Sequence, residues 1–177
     1  PKTRVTLNGI LEKAEKVKRK NPVISLGYSF VIVWEGVEIN GKKLHSNLGD
    51  MARSVELARE FSFDYVSFKP CLLRFKESQR ETLLKDVDKT KEREIIDQIQ
   101  THLQKARLLA GDRVKILESS NLKALLNQET DQIKRQPKRC HIQFFRTVVT
   151  PFGIFHCPAF RGVEEARIGE ADGYRSE

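Results

Sequence analysis

The 177 residues leave room for one buried core and at most a small appendage, and 39% hydrophobic with 32% charged residues is ordinary for a globular domain. No apolar run reaches the ~18 to 20 residues of a membrane span, which excludes an intramembrane helix. The net charge of +8 favours acidic or nucleic-acid partners, yet Lys and Arg are interleaved with Glu and Asp along the whole chain, as on a solvated surface.

The first residue is Pro1, and Pro1-Lys2-Thr3-Arg4 leads into an amphipathic pattern, not the apolar segment of a signal peptide. The chain therefore reads as a fragment or a processed product. Leu7, Ile10, Leu11, Ala14 and Val17 recur at helical spacing, with Thr6 or Asn8 as cap. Lys18-Arg19-Lys20 complements the C-terminal dipole, and Asn21-Pro22 stops the helix. The near-continuous apolar run Val23 to Val33 predicts a strand of a parallel sheet, buried on both faces. Its large residues, Ile24, Leu26, Tyr28 and Phe30, alternate with the small Ser25, Gly27 and Ser29. The small face has room either for a ligand or for a close-packed neighbouring strand.

Trp34 to Ser46 reads as a polar loop, and Asn47 as the opening of a helix carrying Leu48, Met51, Ala52, Val55 and Ala58. A second strand follows over Asp64 to Lys69, ended by Pro70, with Tyr65, Ser67 and Lys69 on one face and Val66 and Phe68 on the other. Beyond Cys71-Leu72-Leu73-Arg74-Phe75 the chain is polar as far as Lys89. Ile95, Ile96, Ile99, His102, Leu103, Ala106 and Leu109 then trace a long helix ended by Gly111, with His102 as a partly buried packing residue. Val114 to Leu117 is a third strand, and Ser120 or Asn121 caps a helix over Leu122 to Leu126. Strands alternating with helices imply βαβ units and a parallel sheet. Residues 127–139 read as a linker, and the last ~15 residues after Gly162 as poorly packed.

Between Cys140 and Cys157, two apolar runs flank Pro151-Phe152-Gly153, which predicts a β-hairpin with a cysteine near each end. Two thiols supply a disulfide or half of a metal or iron–sulfur site. Three cysteines (Cys71 is the third) are too few for a disulfide framework, which points to a reducing, cytoplasmic compartment. His141 and His156 adjoin Cys140 and Cys157, but strand neighbours point to opposite faces, which disfavours a zinc site built from all four.

The order of three β/α units and a cysteine hairpin resembles the C-terminal portion of radical SAM enzymes that carry a SPASM or twitch extension. The resemblance rests on Ile24 to Phe30, on Ala58 to Lys69, and on Cys140 through Cys157 with Thr150-Pro151-Phe152-Gly153 as the turn, a C-x12-G-x3-C pattern. That glycine-to-cysteine gap is one residue shorter than usual. Cys157-Pro-x-x-Arg161-Gly162 and the later Ile168-Gly169 also look like the extension. The implied fold is α/β: residues 1–126 as half of a partial (β/α)6 TIM-type barrel with parallel strands, 127–139 as linker, and 140–177 as a C-terminal β-hairpin module, truncated.

The activity implied is that of an iron–sulfur oxidoreductase. A [4Fe–4S] cluster cleaves S-adenosylmethionine reductively, and the resulting radical abstracts hydrogen from a small-molecule or peptide substrate. An electron donor such as flavodoxin or ferredoxin would serve it. The family's CxxxCxxC loop is absent from this sequence, so the chain alone is expected to be inactive and to need the missing N-terminal half of the barrel. Ser25 and Ser29 would contact S-adenosylmethionine. Lys69, Cys71 and Arg74 would face substrate or cofactor at the C-terminal ends of the strands, although Lys69 is equally a surface lysine and Cys71 a small buried hydrophobe. Cys140 and Cys157 would ligate an auxiliary iron–sulfur cluster whose remaining ligands lie beyond Glu177, unless the site has decayed into a cluster-free hairpin. The competing reading is a basic α/β interaction or nucleic-acid-binding domain with structural cysteines. A dehydrogenase-like domain is disfavoured because no strand is followed by GxGxxG.

Overall fold

The computed structural model describes residues 6–39, 41–74, 81–84, 87–129, 146–157 and 161–172. The chain forms two compact units, Pro1–Lys134 and Arg135–Glu177.

In the first unit, helix α1 spans Leu7–Lys20, and Thr6 caps it by accepting a hydrogen bond from the Gly9 amide. Strand β1 spans Gly27–Ile32. It is shorter than the apolar run that announces it, because the Ile24 amide turns back to Asn21 O and Val23 is 93% exposed. The segment after β1 is more structured than a polar loop. Trp34 and Val37 are buried in the core, and β2 (Glu38–Ile39) pairs antiparallel with β3 (Lys42–Lys43).

Helix α2 spans Asp50–Glu60, so it begins three residues beyond Asn47. Strand β4 spans Tyr65–Pro70, with Pro70 itself at the last rung opposite Ile32. A second small hairpin pairs β5 (Leu73–Arg74) with β6 (Glu81–Thr82), the latter lying where the sequence suggests only a polar stretch. Helix α3 spans Lys89–Ala110. Asp88 caps it at Lys91 N, and Gly111 ends it with φ +53. Strand β7 spans Lys115–Glu118, and α4 spans Ser120–Leu126. The cap of α4 is Ser119, one residue earlier than expected, because its extended backbone lets Oγ accept from Leu122 N at 3.2 Å.

The three longer strands form a parallel sheet in the order β1-β4-β7. Tyr28, Ser29 and Phe30 lie opposite Val66, Ser67 and Phe68, while Val66 and Ser67 lie opposite Ile116 and Leu117. Side chains alternate across a strand, so Tyr28, Phe30, Ile32, Val66, Phe68 and Ile116 share one face. That face joins a single core with Leu11 of α1, Met51 and Val55 of α2, Ile99 and Leu103 of α3, and Leu122 and Leu125 of α4. Full burial of each large aliphatic side chain contributes roughly 1.5–3 kcal/mol. Phe30 and Phe68 meet edge-to-face at 5.6 Å across the strands. The expectation that β1 is buried on both faces is wrong. Its other face carries the exposed Ser29 and Val31.

In the second unit, β8 (Val148–Thr150) and β9 (Gly153–Phe155) form the expected hairpin, with Thr150 opposite Gly153. Residues 163–172 are better ordered than the composition of the tail suggests. A 3-10 turn over Glu164–Ala166 leads into β10 (Arg167–Gly169), which pairs antiparallel with β9. Arg167 holds this segment through Glu164 and, at 3.0 Å, Glu170. Gly153 has φ +138, and a Cβ there would stand 2.9 Å from both Arg167 Cδ and Gly169 O, so only glycine fits. The coarse expectation of an α/β chain with parallel strands and a hairpin module therefore holds. The described strands close no barrel.

Candidate functional site

The feature with most scope for chemistry is the bare face of the parallel sheet. A parallel sheet is normally covered on both sides. Here Ser29 and Val31 of β1, Lys69 of β4 and Lys115 and Leu117 of β7 are all exposed on one side. Tyr65 and Ser67 on the same side are half-buried. The strand residues of this face include two hydroxyls, one phenol and two ammonium groups, and no carboxylate.

Ser29 and Ser67 are direct register partners, and Lys69 follows Ser67 on the same face, opposite Val31. All three lie in the middle or C-terminal half of strands that run in the same direction. Ser25 lies elsewhere. It is exposed, precedes β1, and belongs to the N-terminal end of the sheet. Its neighbour Ile24 O accepts a hydrogen bond from Lys18 Nζ at 2.6 Å, in the cluster that joins α1 to the start of β4. The structure therefore groups Ser29 with Lys69 and leaves Ser25 apart.

Cys71 does not join the open face. Only 6% of it is exposed, its amide donates to Ile32 O at 2.9 Å, and burial pushes its thiol pKa up. It packs as a small apolar residue, and a protonated thiol is neither nucleophile nor metal ligand. Arg74 lies in β5 opposite Glu81.

Asn47 shapes the rim in a way its sequence context did not announce. Its Oδ1 accepts from Val33 N and its Nδ2 donates to Val31 O, both at 2.8 Å. Its own amide donates to Val33 O at 3.0 Å. Ile32 O faces β4, so Val31 and Val33 present their backbone groups to the opposite edge of the strand. Asn47 thus satisfies the C-terminal part of that edge as a neighbouring strand would. A cavity of about 390 Å³ lies beyond the same strand ends, lined by Trp34, Val37, Leu73, Val87 and Ile95, with Glu35, Glu38 and Lys91 as its charged groups. Trp34, the only tryptophan in the sequence, falls in what the sequence reads as a polar loop, and its burial makes that loop part of the fold.

In the second unit Cys157 is half-buried just after β9, and His156 is exposed with its amide donating to Ala166 O at 3.4 Å. Cys140 and His141 lie outside the described residues. No group of three or more His, Cys, Asp or Glu side chains able to hold a metal occurs among the described residues. Cys157 alone supplies one thiolate of the four that an iron–sulfur cluster takes, so the described residues do not make up such a site. No helix among the described residues is long and apolar enough to cross a membrane.

Comparison with family models, curated proteins and solved structures yields no match to this chain. The functional reading rests on its own residues.

Proposed function

We propose that the chain is part of a radical SAM iron–sulfur enzyme, contributing one wall of a partial (β/α)6 barrel and an auxiliary-cluster hairpin. The observation that carries this reading is the arrangement of the parallel sheet. Strand order follows chain order without reversal, and α2, α3 and α4 all pack on one face, while the strand residues of the other include the exposed Ser29, Val31, Lys69, Lys115 and Leu117. A doubly wound sheet has a reversal of strand order and helices on both faces. A barrel wall has helices outside and a side-chain-bearing face inside. The bare face is then the lumen, and Ser29 on β1 would meet S-adenosylmethionine or substrate there.

The sequence holds no CxxxCxxC, so in this reading the radical-generating cluster is held by another part of the protein, and the 177 residues alone are inactive. The hairpin pair Cys140 and Cys157 supplies two thiolates to an auxiliary cluster, with the remaining ligands outside this chain. A redox partner of the flavodoxin or ferredoxin type would deliver the electron. The cluster claim is tested by isolating the whole protein that contains this chain under anaerobic conditions and measuring iron and acid-labile sulfide. The content is expected to fall by one cluster's worth in a Cys140→Ser, Cys157→Ser double variant. An unchanged content would remove the hairpin from cluster binding.

A further inference from the structure

We propose that Lys69, together with the Ser29 and Ser67 hydroxyls, forms a binding site for an oxyanion, the carboxylate or phosphate group of an acidic small-molecule substrate. The inference rests on the proposed function only in taking the bare face as the one that meets substrate. Three observations support it. Lys69 sits on β4, the central strand of the sheet, where both faces are ordinarily buried and a lysine has no place without a purpose. Its ammonium makes no hydrogen bond or ion pair with any described residue, and neither do the Ser29 and Ser67 hydroxyls. The strand residues of this face also carry no carboxylate that would neutralise the lysine or repel an anion.

Geometry brings the three groups within reach of one small ligand. Ser29 and Ser67 are register partners on adjacent strands, about 4.8 Å apart in backbone spacing. Lys69 lies two residues beyond Ser67 on the same face, about 6.6 Å further along β4. The four-carbon stem of the lysine spans that distance, so Nζ can reach over the serine pair. Two hydroxyl donors and one ammonium match the several acceptor lone pairs of a carboxylate or phosphate. Lys115, the other cation of this face, lies at the start of β7 opposite Tyr65, on the side of the serine pair away from Lys69.

The test uses the 177-residue chain labelled with nitrogen-15, titrated separately with inorganic pyrophosphate and with succinate at low ionic strength while amide shifts are followed. The expected result is saturable shifts centred on Ser29, Ser67 and Lys69. Affinity should fall about tenfold in Lys69→Gln, as for loss of a charge-assisted hydrogen bond. It should be retained in Lys69→Arg and unchanged in Lys105→Gln, an exposed lysine of α3. Binding of pyrophosphate alone assigns a phosphate, of succinate alone a carboxylate, and of both a general oxyanion site. Absence of saturable shifts with either probe, or equal affinity in the wild type and Lys69→Gln, overturns the proposal. The amide spectrum of each variant reports its folding in the same experiment. Because neither probe requires an iron–sulfur cluster, failure here is separate from failure of the radical SAM reading.

Discussion

The ring of Tyr65 fills the space that a side chain at Gly27 would need. The two residues are opposite one another in the β1–β4 register, and a Cβ built on Gly27 would lie within 3.0 Å of three ring atoms. At this rung the small residue makes room for a neighbouring strand's aromatic side chain, not for a ligand. One rung on, the partners are Ser29 and Ser67, and there the face is open.

Gly27→Ala should therefore destabilise the first unit by about 1–3 kcal/mol, the usual cost of overpacking. Tyr65→Ser in the same chain should recover most of that loss, because the two substitutions act on one contact and are not additive. Urea unfolding of the two single variants and the double variant measures the coupling. Additive effects would mean that the ring and the glycine do not share space.

Asn47 replaces part of a missing strand along the edge of β1 through its bonds to Val33 N and Val31 O. Asn47→Ala should cost about 1–2 kcal/mol in urea unfolding, from two hydrogen bonds with one partner removed. It also frees backbone groups on a sheet edge, so concentration-dependent association should rise in light scattering. Asn47→Asp keeps the acceptor and loses the donor, and should fall between the two.

Lys18 and Asp64 tie α1 to the start of β4. Asp64 accepts from Lys18 Nζ at 2.8 and 2.9 Å and from the Leu26 amide at 2.6 Å. The Lys18 hydrogen bond, then the Leu26 amide, hold its carboxyl below the usual carboxylate range. A lowered folded-state pKa gives stability that is present above the unfolded value, about 4, and is lost as pH falls through the lower folded value. Asp64 is more than a third exposed, so solvent screens the pair and the effect is modest. Urea midpoints between pH 6 and pH 2.5 should show a decline that is smaller in Asp64→Asn. An identical decline in both proteins would place the acid sensitivity elsewhere.

On α3, Ile99 is fully buried while Leu108 is 78% exposed. Ile99→Ala should cost about 2–5 kcal/mol through the cavity it leaves, and Leu108→Ala within about 0.5 kcal/mol of nothing. Thermal or urea unfolding of the two variants checks which face of the helix carries the core.

Much of this fold is legible in the pattern of apolar residues. Leu7 through Val17, Met51 through Ala58 and Ile95 through Leu109 each announce a helix by period, and Thr6 and Gly111 mark ends that the structure keeps. What escaped the sequence depends on contacts distant along the chain. Val23 is as apolar as Ile32, yet only the latter has a strand beside it. Trp34 and Val37 sit among polar residues and are buried because the core extends beyond β1. Asn47 looks like a helix cap, and the strand edge it serves lies fourteen residues away. In the site, the polar face shared by Tyr65, Ser67 and Lys69 follows from alternation alone. That Ser29 joins it while Ser25 does not depends on where β1 begins, which a turn at Asn21 determines.

The measurement that bears most directly on the proposed function is cleavage of S-adenosylmethionine by the whole protein that contains this chain, reduced under anaerobic conditions after reconstitution with iron and sulfide. The account predicts a brown protein that releases 5′-deoxyadenosine and methionine, with the yield lowered in Ser29→Ala. A colourless protein that leaves S-adenosylmethionine intact would contradict it.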